Sequence, residues 1–127
     1  MYAHTAHNII FNLIWINFLA LNSKPKLSEL QKYVRPYVAE RWADVGYALC
    51  LADSDDGEQM DKIKEEKKGD PNSCFNETMQ VWLQSGLSCT WITLIAAIKT
   101  VGRLEATGAQ IEAQILAASK AFCCVQM

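Results

Sequence analysis

The sequence predicts an all-α fold, a bundle of six antiparallel helices preceded by an apolar N-terminal extension. Three observations carry this. Apolar residues recur at intervals of three and four in six separate segments, the spacing that puts them on one face of a helix. No period-2 run bounded by turn residues occurs, so no segment reads as a half-buried strand. Six Gly and three Pro in 127 residues are too few for a loop-rich all-β domain. Half of the residues are apolar and 20% are charged, a globular balance. A chain of this length can bury one core without metal or disulfide staples.

Residues 8–21, NIIFNLIWINFLAL, are apolar but carry Asn8, Asn12 and Asn17. Fourteen residues fall short of the ~20 that a helix needs to span a bilayer. A secretory signal has an apolar stretch of this length but also a positive flank, and residues 1–8 hold no Lys or Arg. The run is expected to be an extra helix or an ordered arm packed on the domain. Ser23-Lys24-Pro25 breaks it. Residues 1–23 are therefore assigned as the extension, 24–118 as the domain and 119–127 as a C-terminal tail.

Leu27, Leu30, Val34 and Val38 form the first stripe, and Pro36 should end or kink that helix near Arg35. Trp42, Val45, Gly46, Leu49 and Cys50 form the second. Residues 52–59, ADSDDGEQ, have the composition of a loop. Met60–Lys68 is short, highly charged and anchored by Met60 and Ile63. Gly69-Asp70-Pro71-Asn72-Ser73 stops it and offers caps. Phe75, Met79, Trp82 and Leu83 make the next stripe, ended by Ser85-Gly86. Thr90 precedes Trp91, Leu94, Ile95, Ile98 and Val101, with Gly102 expected as the C-cap. Leu104, Gly108, Ile111, Ile115 and Leu116 make the last. Helices of roughly 8–14 residues with short connections give an antiparallel bundle. Trp42, Leu49, Trp82, Leu83, Trp91, Leu94, Ile98 and Ile111 are the expected core.

The order and identity of these stripes resemble the death domain family, over about Pro25 to Leu116. Residues 41–51, RWADVGYALCL, look like the family's second-helix W-x-x-[LV]-[AG]-x-x-L-G-L segment, with Cys50 in place of Gly. Residues 79–83, MQVWL, look like the fourth-helix M-L-x-x-W-L motif. Residues 90–98, TWITLIAAI, resemble the fifth-helix A-T-W-x-x-L segment, and residues 102–106 resemble the turn into the last helix. Three Trp-bearing motifs in the right order carry the match. Thr107 and Gly108 depart from it by weakening the sixth helix. The resemblance implies a six-helix Greek-key death fold. It also implies a non-enzymatic cytoplasmic adaptor that binds other death-domain proteins, or further copies of itself, in apoptotic or innate-immune signal transduction.

The residues are compatible with that class. The five Cys include no C-x-x-C pair and their number is odd. Buried reduced thiols at Cys50 and Cys74 are expected rather than a disulfide framework or a zinc site. The only His residues, His4 and His7, lie at one end, which disfavours Ser-His or Cys-His catalysis. Asp53, Asp55, Asp56 and Glu58 evoke a calcium loop, but Lys64 stands where the closing Glu belongs. No catalytic residue, metal or cofactor is expected. Net charge −2 disfavours a nucleic-acid partner.

Charge is unevenly placed. Residues 24–41 carry a net charge of +3 and residues 53–70 a net charge of −4. The expected interaction surfaces are a basic patch at Lys32, Arg35 and Arg41 and an acidic patch at Asp55, Asp56, Glu58 and Asp61, complementary between copies. Two solvated faces are the plain alternative. Asn76-Glu77-Thr78 is a glycosylation sequon, relevant only to a secreted chain. Cys124-Val125-Gln126-Met127 fits a prenylation box weakly, because Gln126 is polar, and an unmodified tail is expected. The rival function is a helical domain tethered to a membrane by the apolar run or by a lipidated tail.

Overall fold

The computed structural model describes residues 19–49 and 58–126, with side-chain surroundings for 19–49 and 59–119. Within them every regular element is helical. In chain order these are α1 (Leu27–Tyr33), α2 (Arg35–Val38), a 3-10 turn (Ala39–Arg41), α3 (Trp42–Ala48), α4 (Glu58–Glu66), α5 (Pro71–Gln84), α6 (Trp91–Thr100) and α7 (Glu105–Gln126). Residues 19–21 are also helical.

Each of the six stripes falls on a helix, and α2 is the addition. Pro36 sits in its first turn, where a missing amide donor costs nothing. Instead of ending the path, it splits the first helix into α1, α2 and the 3-10 turn. Local chemistry sets the other boundaries. The Glu29 carboxylate accepts the Lys26 amide at 2.9 Å before α1. Asp70 caps α5 by accepting the Ser73 amide at 2.9 Å, with Pro71 as the first helical residue. Thr90 caps α6 through the Thr93 amide at 3.3 Å. Gly86, at φ +80°, takes the left-handed position just after α5.

Two expectations about boundaries are corrected. Gly102 is not the left-handed cap after α6; Arg103 adopts φ +71° instead. Val101 is extended, so the reversal falls one residue later than a helix capped by Gly102 would put it. Residues 119–126, expected as a tail, continue α7, which runs 22 residues without a break. Gly108 lies inside that helix, which continues past it. A Cβ there would lie 2.6 Å from the Lys99 Cγ, so the missing side chain lets α7 close on α6.

α5 is the hub. It packs against α1, α2, the 3-10 turn, α3 and α4, while α6 packs on α3 and α7, and α7 returns to α1. One continuous core results, with Leu30, Val34, Met60, Ile63, Phe75, Met79, Trp82, Leu94, Ile98 and Ile111 at its centre. Trp42, Leu49 and Trp91 join it. Leu83 does not: it is half-buried at the margin. Adjacent helical residues point ~100° apart, and Trp82 takes the inward direction. Gly46 admits α4, because a Cβ there would stand 2.5 Å from the Met60 sulfur.

Two polar groups are sealed inside. The Thr78 hydroxyl donates to the Cys74 carbonyl at 2.7 Å. The Trp82 indole N–H has no acceptor among the described residues. Cys74 is a free, fully buried thiol. Burial pushes its pKa up, and the Asp70 charge adds to the effect. Cys89 is free and half-buried, its Sγ 3.0 Å from the Trp82 carbonyl. Cys50 lies outside the described residues.

Candidate protein-interaction surface

α2 begins directly after α1, so Arg35 follows the end of one helix and Arg41 stands before the next. The 3-10 turn between them packs on α5. An open groove of about 510 Å³ results, lined by Arg35, Pro36, Tyr37, Glu40, Arg41 and Pro71, with Ala39 and Asn72. The structure thus brings together two of the three residues of the expected basic patch. It also adds Tyr37 and Pro71, which charge reasoning passed over because neither carries charge. Tyr37 is largely exposed, and its hydroxyl accepts from Gln114 Nε2 at 3.2 Å, tying the groove edge to α7.

The three basic side chains differ in freedom. Lys32 is exposed, with its ammonium 5.1 Å from the Tyr33 ring centroid, a cation–π distance. Arg35 is half-buried and makes one long hydrogen bond, 3.4 Å to Asn76 Oδ1. Arg41 is committed to the fold. Its Nε pairs with Asp44 at 2.7 Å and its Nη1 donates to the Gly102 carbonyl at 3.0 Å. Arg41, part of the expected basic patch, thus already makes two bonds within the fold while its side chain stays partly exposed.

Of the acidic patch, Asp61 is exposed on α4. Asp55 and Asp56 lie outside the described residues, as does the side chain of Glu58. Beyond Asp61, α4 carries Lys62, Lys64, Glu65 and Glu66, a mixed rather than acidic set. Lys67 is 3.9 Å from Glu77 of α5. Asp70 is exposed and held below its ordinary carboxylate pKa by its hydrogen bonds from Ser73.

In the folded chain Asn76 of the sequon is half-buried. Its Thr78 is fully buried and its Asn76 oxygen accepts from Arg35. Among the described residues no helix is long and apolar enough to cross a membrane. The apolar run through residue 18 and the side chains of Cys123 and Cys124 fall outside them. Comparison of the chain with known protein families, curated proteins and solved structures finds no match.

Proposed function

We propose that the chain is a non-enzymatic signalling adaptor of the death-domain type. In this reading it acts in the cytoplasm and binds other death domains, or copies of itself, through charged faces. The observation that carries the proposal is the burial of Trp42, Trp82 and Trp91, one from each resembling motif, in a single helical core. The free thiols of Cys74 and Cys89 agree with a cytoplasmic setting.

The charged groove supplies the docking chemistry. Arg35 offers donors in it and Lys32 stands exposed on α1, and an acidic segment such as 53–58 of a neighbouring copy is complementary to them. Exposed ion pairs are each worth about 0–1 kcal/mol and are screened by salt, so several must act together. The test is size-exclusion chromatography with light scattering at low and high salt. Reversing Lys32 and Arg35 to Glu should weaken assembly, and reversing Asp55, Asp56, Glu58 and Asp61 to Lys should do the same. Combining the two sets should restore part of it. Assembly indifferent to both reversals and to salt would sink the proposal.

A further inference from the structure

The groove beside the 3-10 turn carries both signs of charge. Arg35, Glu40 and Arg41 line it, and Asp44 pairs with Arg41 at 2.7 Å. That pair cancels, which leaves one cation and one anion. Arg35 is half-buried, and its side chain has a single bond, the 3.4 Å contact with the neutral Asn76 Oδ1. No carboxylate stands within ion-pair distance of it among the described residues. Glu40 is exposed, and its carboxylate has neither ion pair nor hydrogen bond among the described residues. Asp70, beside Pro71, is taken up by capping Ser73. Between Arg35 and Glu40 in the chain stand Pro36 and Tyr37, both exposed. Gln114 holds the Tyr37 hydroxyl at 3.2 Å and so orients the ring.

These charges constrain what fits. A purely acidic partner satisfies Arg35 but meets Glu40 as a like charge, and a purely basic one does the reverse. A surface with one cation and one anion at the same separation satisfies both. The groove of a second copy is such a surface by identity. In a two-fold contact residue i of one copy meets residue j of the other, and j meets i. An axis lying between the two charges therefore sets each Arg35 against the second copy's Glu40, and the pair is made twice. A residue near the axis meets its own copy. Tyr37 takes that place, and its ring supplies apolar area between the two charged contacts.

We infer that two copies of the chain dock groove to groove as a closed two-fold dimer, with Arg35 and Glu40 paired across the contact and Tyr37 at the axis. The inference rests on the self-associating form of the adaptor reading and names a contact surface for it. The two arrangements differ in outcome. A 53–58 segment seated in a neighbour's groove is a head-to-tail contact, which rings or propagates, whereas the groove-to-groove contact stops at two copies.

Sedimentation equilibrium of the full chain over a concentration series tests it. The expected result is a monomer–dimer equilibrium with no larger species, weakened by added salt. Arg35→Glu and Glu40→Arg should each raise the dimer Kd by roughly tenfold or more, because like charges then meet twice. Mixed in equal amounts, the two variants should dimerise as tightly as the parent, since both contacts of the mixed pair join opposite charges. Circular dichroism checks the fold. Should Arg35→Glu lose helicity, Arg35→Gln and the exposed Glu40→Arg decide, each expected to weaken the dimer. A dimer indifferent to Glu40→Arg would overturn the inference. Assembly lost in Arg35→Glu and on reversal of Asp55, Asp56, Glu58 and Asp61, but kept in Glu40→Arg, would also overturn it and leave the adaptor reading standing with the acidic segment as the occupant. A chain monomeric at every concentration would overturn it too and leave that reading to other partner proteins.

Discussion

Arg41 joins the start of α3 to the α6–α7 turn: its Nη1 donates to the Gly102 carbonyl at 3.0 Å, across 61 positions of the chain. A carbonyl in an exposed turn gains a charged donor, and the guanidinium is oriented by Asp44. Arg41→Lys, whose single ammonium cannot serve both partners, should cost about 1 kcal/mol in urea unfolding. Asp44→Ala should cost ~0–0.5 kcal/mol, as exposed pairs do. Lys32→Glu should stay within ~0.5 kcal/mol of the parent. Equal effects at Lys32 and Arg41 would contradict the assignment of Arg41 to the fold.

Trp82 is fully buried with its indole N–H unsatisfied. Trp82→Ala should cost ~3–5 kcal/mol as a large-to-small core change. Trp82→Phe removes a desolvated donor worth ~1–3 kcal/mol, which offsets most of the lost ring volume. A Phe variant that loses more than half of what the Ala variant loses would mean that the N–H has an acceptor.

Gly46 is set by the Met60 sulfur beside it, with Thr78 Cγ2 a further 3.2 Å neighbour of any added Cβ. Gly46→Ala gains ~1 kcal/mol of helix propensity but overpacks the site at ~1–3 kcal/mol. The expected net is a modest loss. In a Met60→Ala background the same change should become stabilising. A double-mutant cycle reads that coupling directly, and additive effects would exclude the contact.

Arg103 pays for a left-handed backbone at φ +71°. A side chain there costs roughly 1–2 kcal/mol, while glycine's extra freedom when unfolded returns ~0.4–1 kcal/mol. Arg103→Gly should therefore raise the melting temperature, and a lowered one would show that the Arg103 side chain holds the turn.

Asp70 titrates with the α5 cap. Its pKa is depressed in the folded state, so its contribution is present above the unfolded carboxylate value and is lost as pH falls through the folded one. Asn caps as well but does not titrate in this range. Melting temperatures of the parent and Asp70→Asn should therefore converge or cross as pH drops below about 4, the ordinary Asp value. Parallel curves down to pH 2 would remove Asp70 from the acid response.

The elements were legible because their signals are local. Helical spacing marked all six stripes, and the cap of α5 comes from the 69–73 stretch expected to offer one, since a cap is a bond across three residues. Trp42, Trp82 and Trp91 were legible as core because large apolar rings at helical spacing have nowhere else to go. Other features required the tertiary structure. Spacing states which face of a helix is apolar, not which of two neighbours takes the centre, and so Trp82 rather than Leu83 is fully buried. Charge states a sign but not a partner, and so the bond from Arg41 to the Gly102 carbonyl was not legible. Gly46 was read as one position of an apolar stripe and Gly108 as a weak point of the last helix. Only the packed helices show them as the points where Met60 and Lys99 come close, because close approach is a property of two surfaces and is written in neither one alone.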